Sequence, residues 1–173
     1  MENKPGRNYR TIVILCLLLC LGNYVQAQTK SVVNLKEKTV AKISKGTFEV
    51  TATPQPPENN IGDPSIGRLS LNKVFSGSLA GNSKGQMLGA QTETEGSAGY
   101  VALEPFNGTL DGKKGGFALQ HFGTMQGGKF ELNVSVVPDS GTGELKGISG
   151  TMKIIIEGAK HFYEFEYVFS KKN

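Results

Sequence analysis

The chain has 173 residues, with 19 Lys and Arg against 15 Asp and Glu, a formal net charge of +4 at pH 7 and no tryptophan. That length suits one domain with a real core and is too short for two comfortable ones. The charge excess shrinks further once the N-terminal segment is set aside, which excludes a nucleic-acid-binding protein of the usual basic kind.

Lys4, Arg7 and Arg10 precede a nearly unbroken apolar run from Thr11 to Gly22, followed by Asn23, Tyr24 and the small-residue exit Val25-Gln26-Ala27. This order predicts a Sec-type signal peptide over residues 1–27, cleaved after Ala27, and hence a periplasmic or secreted protein. The apolar run is shorter than the roughly 20 residues of a spanning helix, so membrane contact is expected only during export. Lipoprotein processing is disfavoured because Leu19, before Cys20, is larger than such a site prefers. Both cysteines, Cys16 and Cys20, lie in the leader. A mature chain without thiols has no disulfides, no thiol catalysis and no thiolate metal ligation. Residues 1–27 hold three basic residues and one acid, Glu2, so the mature charge is +4 − (3 − 1) = +2. Residues 28–45 carry Lys30, Lys36, Lys38, Lys42 and Lys45 against Glu37 alone, a solvated basic tether able to touch an anionic surface.

From Gly46 the pattern becomes short alternating runs rich in Val, Ile, Thr, Phe and Tyr, broken by glycine-containing turns. Thr47 to Thr53 alternates Phe48, Val50 and Ala52 with Thr47, Glu49 and Thr51, and the prolines Pro54, Pro56 and Pro57 predict an exposed loop, a rim or lid. Gly67 to Leu79 places Leu69, Leu71, Phe75 and Leu79 on one face, with Lys73 unexpectedly among them. Gln86 to Glu95 and Gly99 to Phe106 are strand-like but mixed on both faces, leaving their inward side open. Asn107 to Lys113 runs into a glycine turn at Gly115-Gly116.

Gly116 to Met125 aligns Phe117, Leu119, His121, Gly123 and Met125, and Gly127-Gly128 turns the chain into Lys129 to Pro138, where Phe130, Leu132, Val134 and Val136 alternate with polar residues. These two runs predict a hairpin. Met152, Ile154 and Ile156 form one more strand, and the last places His161, Tyr163, Phe165, Tyr167 and Phe169 on one face against Glu164 and Glu166. Between them lies Pro138 to Gly150, with Gly141, Gly143, Gly147 and Gly150 among turn-forming residues. It matches neither nucleotide-binding glycine spacing, and no helix follows it, so it reads as a structural turn or bulged corner with Leu145 and Ile148 plugging one end. About eight antiparallel strands, each with one apolar face, must close or stack, and the fold class expected is all-β, a single small antiparallel barrel over residues 46–170.

Polar residues on inward faces are the candidate site, because burial costs them unless a partner or ligand compensates. Lys73 reads either as a cavity cation for a carboxylate or as a stem that snorkels to the rim. His121 and His161, the only histidines, lie on apolar faces, either as acid/base groups or as hydrogen-bonded core residues. Tyr163 can offer a hydroxyl to a pocket or simply fill the core. Tyr100 and Glu104 share one face and would project together into the mouth if that face is inward. Two histidines separated by 40 residues, with no thiolate, make no metal site, and no cofactor motif is present.

The runs GTFEVTATPQPP, IGRLSLNKVFSGSLAG, GSAGYVALEPFNGTLDG, GGFALQHFGTM, VVPDSGTGELKGISGTM and GAKHFYEFEY resemble the bacterial domain of unknown function 3224 family, over most of residues 46–169. That family is similar to the allene oxide cyclase barrels, and Gly-Thr-Gly-x-Leu-x-Gly-x-x-Gly at residues 141–150 is similar to a motif of plant dirigent proteins. The resemblance implies an antiparallel barrel with a central cavity, often homo-oligomeric. The leading expectation is an exported barrel binding a small, mainly apolar ligand in its lumen. The alternatives are a cofactor-free isomerase or cyclase using His121 or a tyrosine, and a structural homo-oligomer whose interior is only core.

Overall fold

The computed structural model describes residues 40–56 and 62–170. The expected leader, residues 28–39 of the tether and residues 57–61 of the proline-rich loop lie outside the described residues. The strands are β1 (Lys42–Gln55), β2 (Ile66–Gly77), β3 (Leu79–Gln91), β4 (Ala98–Leu110), β5 (Lys113–Gln126), β6 (Lys129–Val136), β7 (Thr142–Gly143), β8 (Ile148–Glu157) and β9 (Lys160–Phe169), with no helix among the described residues.

Seven neighbour pairings run antiparallel from β4 through β3, β2, β1, β9, β8 and β6 to β5, and β4 pairs with β5 to close the ring. The result is an eight-stranded barrel with the two-residue β7 appended to β5. Closure leaves no long unpaired edge, which an open sheet of this length would expose. The seam is thinnest between β6 and β8, where Ser135 opposite Thr151 is the one registered pair.

Several boundaries differ from the sequence reading, for local reasons. β1 begins at Lys42 rather than Gly46, because Ser44 is buried and hydrogen-bonded to Asp111, drawing the end of the basic segment into the sheet. Leu79 belongs to β3, not to the strand before it: Gly77, at φ 109, ends β2, and Leu79 lies opposite Leu110. β3 therefore includes Leu79 to Gly85, a segment whose four small or glycine positions disguise a strand. β4 is one continuous strand through Leu110 and ends in the tight turn Asp111-Gly112, both at positive φ, as a two-residue hairpin requires.

The two ends of the barrel are packed differently. At one end Leu79, Leu110 and Leu145 are fully buried and Ile148 nearly so. Leu145 is held there by the glycine-rich stretch, in which β7 pairs with Gly115 and Gly116, the Leu145 N–H donates to Thr142 and the Ile148 N–H donates to Leu145. Gly143 and Gly147 have φ values of 59° and 82°, and a Cβ on Gly143 would meet the Lys114 carbonyl at 2.7 Å. Behind the plug, Phe75, Phe106, Phe117, Phe165 and Tyr167 form a continuous chain of ring contacts at 5.2–5.7 Å between centroids. Each such ring buried in place of exposure stabilises by about 1.5–3 kcal/mol.

At the other end the inward positions are only half-buried: Leu69, Met87, Tyr100, Met125, Leu132 and Ile154 all keep some solvent exposure. The β3–β4, β5–β6 and β8–β9 connections lie at this end, the mouth of the barrel.

Candidate functional site

The floor of that mouth is polar. Strand alternation turns Lys73 of β2, Ser83 of β3, Glu104 of β4 and His121 of β5 inward at one level of the barrel. Register does the rest, since Lys73 lies opposite Ser83 and Glu104 lies opposite Leu119, two residues from His121. Gly85, on the same face of β3, has no room for a Cβ, which would meet the Leu103 carbonyl at 2.7 Å and the Glu104 Cβ at 3.1 Å. Its missing side chain is what lets Glu104 sit against β3.

Glu104 is the centre of the group and has no exposed surface. Its Oε2 accepts from Lys73 Nζ at 2.6 Å and its Oε1 from Ser83 Oγ at 2.5 Å. Nε2 of His121 lies 3.2 Å from Oε2, an ion-pair distance at which it acts on the carboxylate, at angles outside those of a well-aligned hydrogen bond. The Lys73 ammonium is enclosed on its other sides by aromatic faces, 5.0 Å from the Phe48 centroid and 6.0 Å from that of Phe75.

Burial alone pushes the Glu104 carboxyl up. The His121 edge, the charge and hydrogen bond of Lys73 and the Ser83 hydroxyl together outweigh it and hold the carboxyl below its ordinary value of 4.5. The Glu104 carboxyl is therefore ionised at neutral pH, with the Lys73 amine 2.6 Å away.

Tyr100 stands above this cluster, half-buried at the mouth. Burial first, then the negative charge of Glu104, pushes its phenol up from 10.0. Its ring lies over Gly123, where an added Cβ would meet Cε1 at 2.5 Å, and it stacks on Phe130 with 10° between the planes.

Of the residues expected from sequence, the structure brings together Lys73, Glu104 and His121, with Tyr100 at the entrance. It also assigns the face that was open: Tyr100, Ala102, Glu104 and Phe106 point inward. Lys73 is neither a free cation nor a rim residue, but the buried partner of Glu104. His161 stands apart, half-buried and packed against the Phe48 ring at 5.1 Å. Tyr163 is on the core side, where its hydroxyl accepts from the Leu79 N–H at 2.8 Å and reaches the Leu79 carbonyl at 3.3 Å. Gly141, Gly143, Gly147 and Gly150 lie at the closed end, away from the cluster. Ser83 was missed, although the alternation Leu79, Gly81, Ser83, Gly85, Met87 against Lys84 and Gln86 carries its direction.

A second polar group occupies the closed end. Asp111 Oδ2 accepts from Ser44 at 2.8 Å and from the Tyr167 hydroxyl at 2.5 Å. Burial and the Asp111 contact push the Tyr167 phenol up to about 12. Burial works to raise the Asp111 carboxyl, but the Tyr167, Ser44 and Ser78 hydrogen bonds and the Lys42 charge bring it below 3.8. These hydrogen bonds tie β1 to the β4–β5 turn and β9.

Fold and cluster together define a closed antiparallel barrel with a buried, histidine-flanked Lys–Glu pair beneath its less tightly packed end. By sequence the chain belongs to the family described as protein of unknown function DUF3224, whose model matches residues 44–167. A crystal structure of a protein of unknown function from that family, from Shewanella oneidensis MR-1 at 1.84 Å resolution, is 45% identical to it. The two share a TM-score of 0.71 over 77% of this chain and 100% of that one. No curated protein matches the chain.

Proposed function

We propose that this is an exported protein that holds a small, mainly apolar molecule in the mouth half of its barrel. The observation that carries the reading is the contrast along the barrel axis: the inward residues of one end are packed against an internal plug, whereas Leu69, Met87, Met125, Leu132 and Ile154 at the other remain half-exposed above a buried polar floor. A ring of apolar side chains with a few convergent polar groups is what small-molecule sites present. The leader-like first 27 residues support export.

The test is native mass spectrometry of protein recovered from the periplasm of an expressing bacterium, with solvent extraction of the same sample. A discrete bound organic mass is expected, and it should be lost in Leu132→Arg, which puts a charge in the mouth. A bare protein mass, together with no fluorescence gain from the neutral probe N-phenyl-1-naphthylamine, would overturn the reading.

A further inference from the structure

We infer that the molecule's polar end is neutral, a hydroxyl or carbonyl and not a carboxylate, phosphate or ammonium, and that it is recognised by Nε2 of His121; this rests on the reading that the mouth holds an apolar molecule. Three observations converge on it.

First, the charges of the floor cancel. Lys73 Nζ sits 2.6 Å from Glu104 Oε2, so the pair carries +1 − 1 = 0. An incoming carboxylate would bring a second negative charge beside a fully buried one, and an ammonium would do the same to Lys73, each giving up its hydration without an opposite charge left to receive it.

Second, the pair is saturated by the protein itself. Ser83 occupies Oε1, Lys73 occupies Oε2, and Phe48 and Phe75 cover the ammonium. No ligand atom is needed to complete it.

Third, the polar atom of the floor that is incomplete is Nε2 of His121, on a side chain only 3% exposed. A buried ring nitrogen whose polar neighbour is poorly aligned is costly, and a neutral head group restores what is missing: a hydroxyl can donate to it or accept from it, and a carbonyl can accept from its N–H.

The experiment compares 1-nonanol with nonanoate on the wild-type protein by titration calorimetry at about pH 8, where the acid is ionised. The two probes share a tail and differ at the head. Nonanol is expected to bind at least about tenfold more tightly, the equivalent of one hydrogen bond. His121→Phe should remove most of that advantage by weakening nonanol alone, and His121→Gln, which keeps a donor and an acceptor, should restore part of it. Nonanoate binding as tightly as nonanol would overturn the inference while leaving apolar binding in the mouth intact. Nonanol binding unchanged in a folded His121→Phe would remove His121 as the recognising group. Binding of neither probe would count against both the inference and the reading beneath it. The wild-type comparison stands even if a variant fails to fold.

Discussion

The closed end and the mouth floor of this barrel each hold an acidic residue, exposed at the first and fully buried at the second, and they treat it in different ways. Asp111 is met by hydroxyls from β1 and β9 and lies in the β4–β5 turn. Glu104 is met by a full charge, has no exposed surface and has beside it, at 3.2 Å, an imidazole nitrogen without a well-aligned hydrogen bond. A fold needs only the first arrangement. A buried ion pair is weak evidence for stability, since desolvation consumes most of what the attraction returns. The second arrangement, under half-exposed apolar walls, is therefore where a ligand is expected, and the first is a fastening.

The contrast predicts effects of different size. The largest belongs to Lys73→Met, which strands an ionised carboxylate in the core and should cost about 3–5 kcal/mol in urea unfolding followed by circular dichroism. Its pH dependence should invert. In the wild type the Glu104 carboxyl is depressed, so its contribution is present above about pH 4.5 and is lost as pH falls through the lower folded value. Without Lys73, burial dominates and raises the carboxyl, so the deficit of the variant should narrow on acidification. The double change Lys73→Met with Glu104→Leu should recover most of the loss. If the single variant were as stable as the wild type at neutral pH, the floor would not be the ionised pair described.

Next in size is packing. Leu145→Ala, which empties a fully buried position in the plug, should cost about 2–5 kcal/mol. Leu132→Ala, at the half-buried mouth, should cost less than half as much and instead alter binding of N-phenyl-1-naphthylamine. Equal costs at the two sites would erase the distinction between the ends.

The smallest effect is expected at the clasp. Tyr167→Phe removes one hydroxyl donor to Asp111 and should cost about 1 kcal/mol. Because the Asp111 carboxyl is held below 3.8, the difference between variant and wild type should be full at neutral pH and fade as pH drops below that value. Nonanol affinity should not change.

Much of this was legible in the chain itself. Period-2 alternation identified the strands, and for β2, β5, β6 and β9 it identified the inward face, because a strand with one apolar side has one way to lie on a core. Gly127-Gly128 occupies the turn its residue types favour, whereas the turn expected at Gly115-Gly116 falls at Asp111-Gly112 and those two glycines lie within β5. The reading weakened where side chains are small or mixed. In β3, glycines at 81, 85 and 89 erase the contrast between faces, and in β4 the inward Tyr100 and Glu104 are polar while the outward Val101 and Leu103 are apolar and exposed.

Thus the sequence by itself determined an all-β chain, its turn chemistry and a set of polar residues placed on apolar faces, all of which depend on neighbours one to four positions away. Only the tertiary structure decided that Lys73, Ser83, Glu104 and His121 meet, that Tyr163 and the glycine-rich stretch serve the opposite end, and which end is filled by the leucine plug. Those outcomes depend on the register with which strands distant along the chain close into a ring, and a period of two is the same in every register.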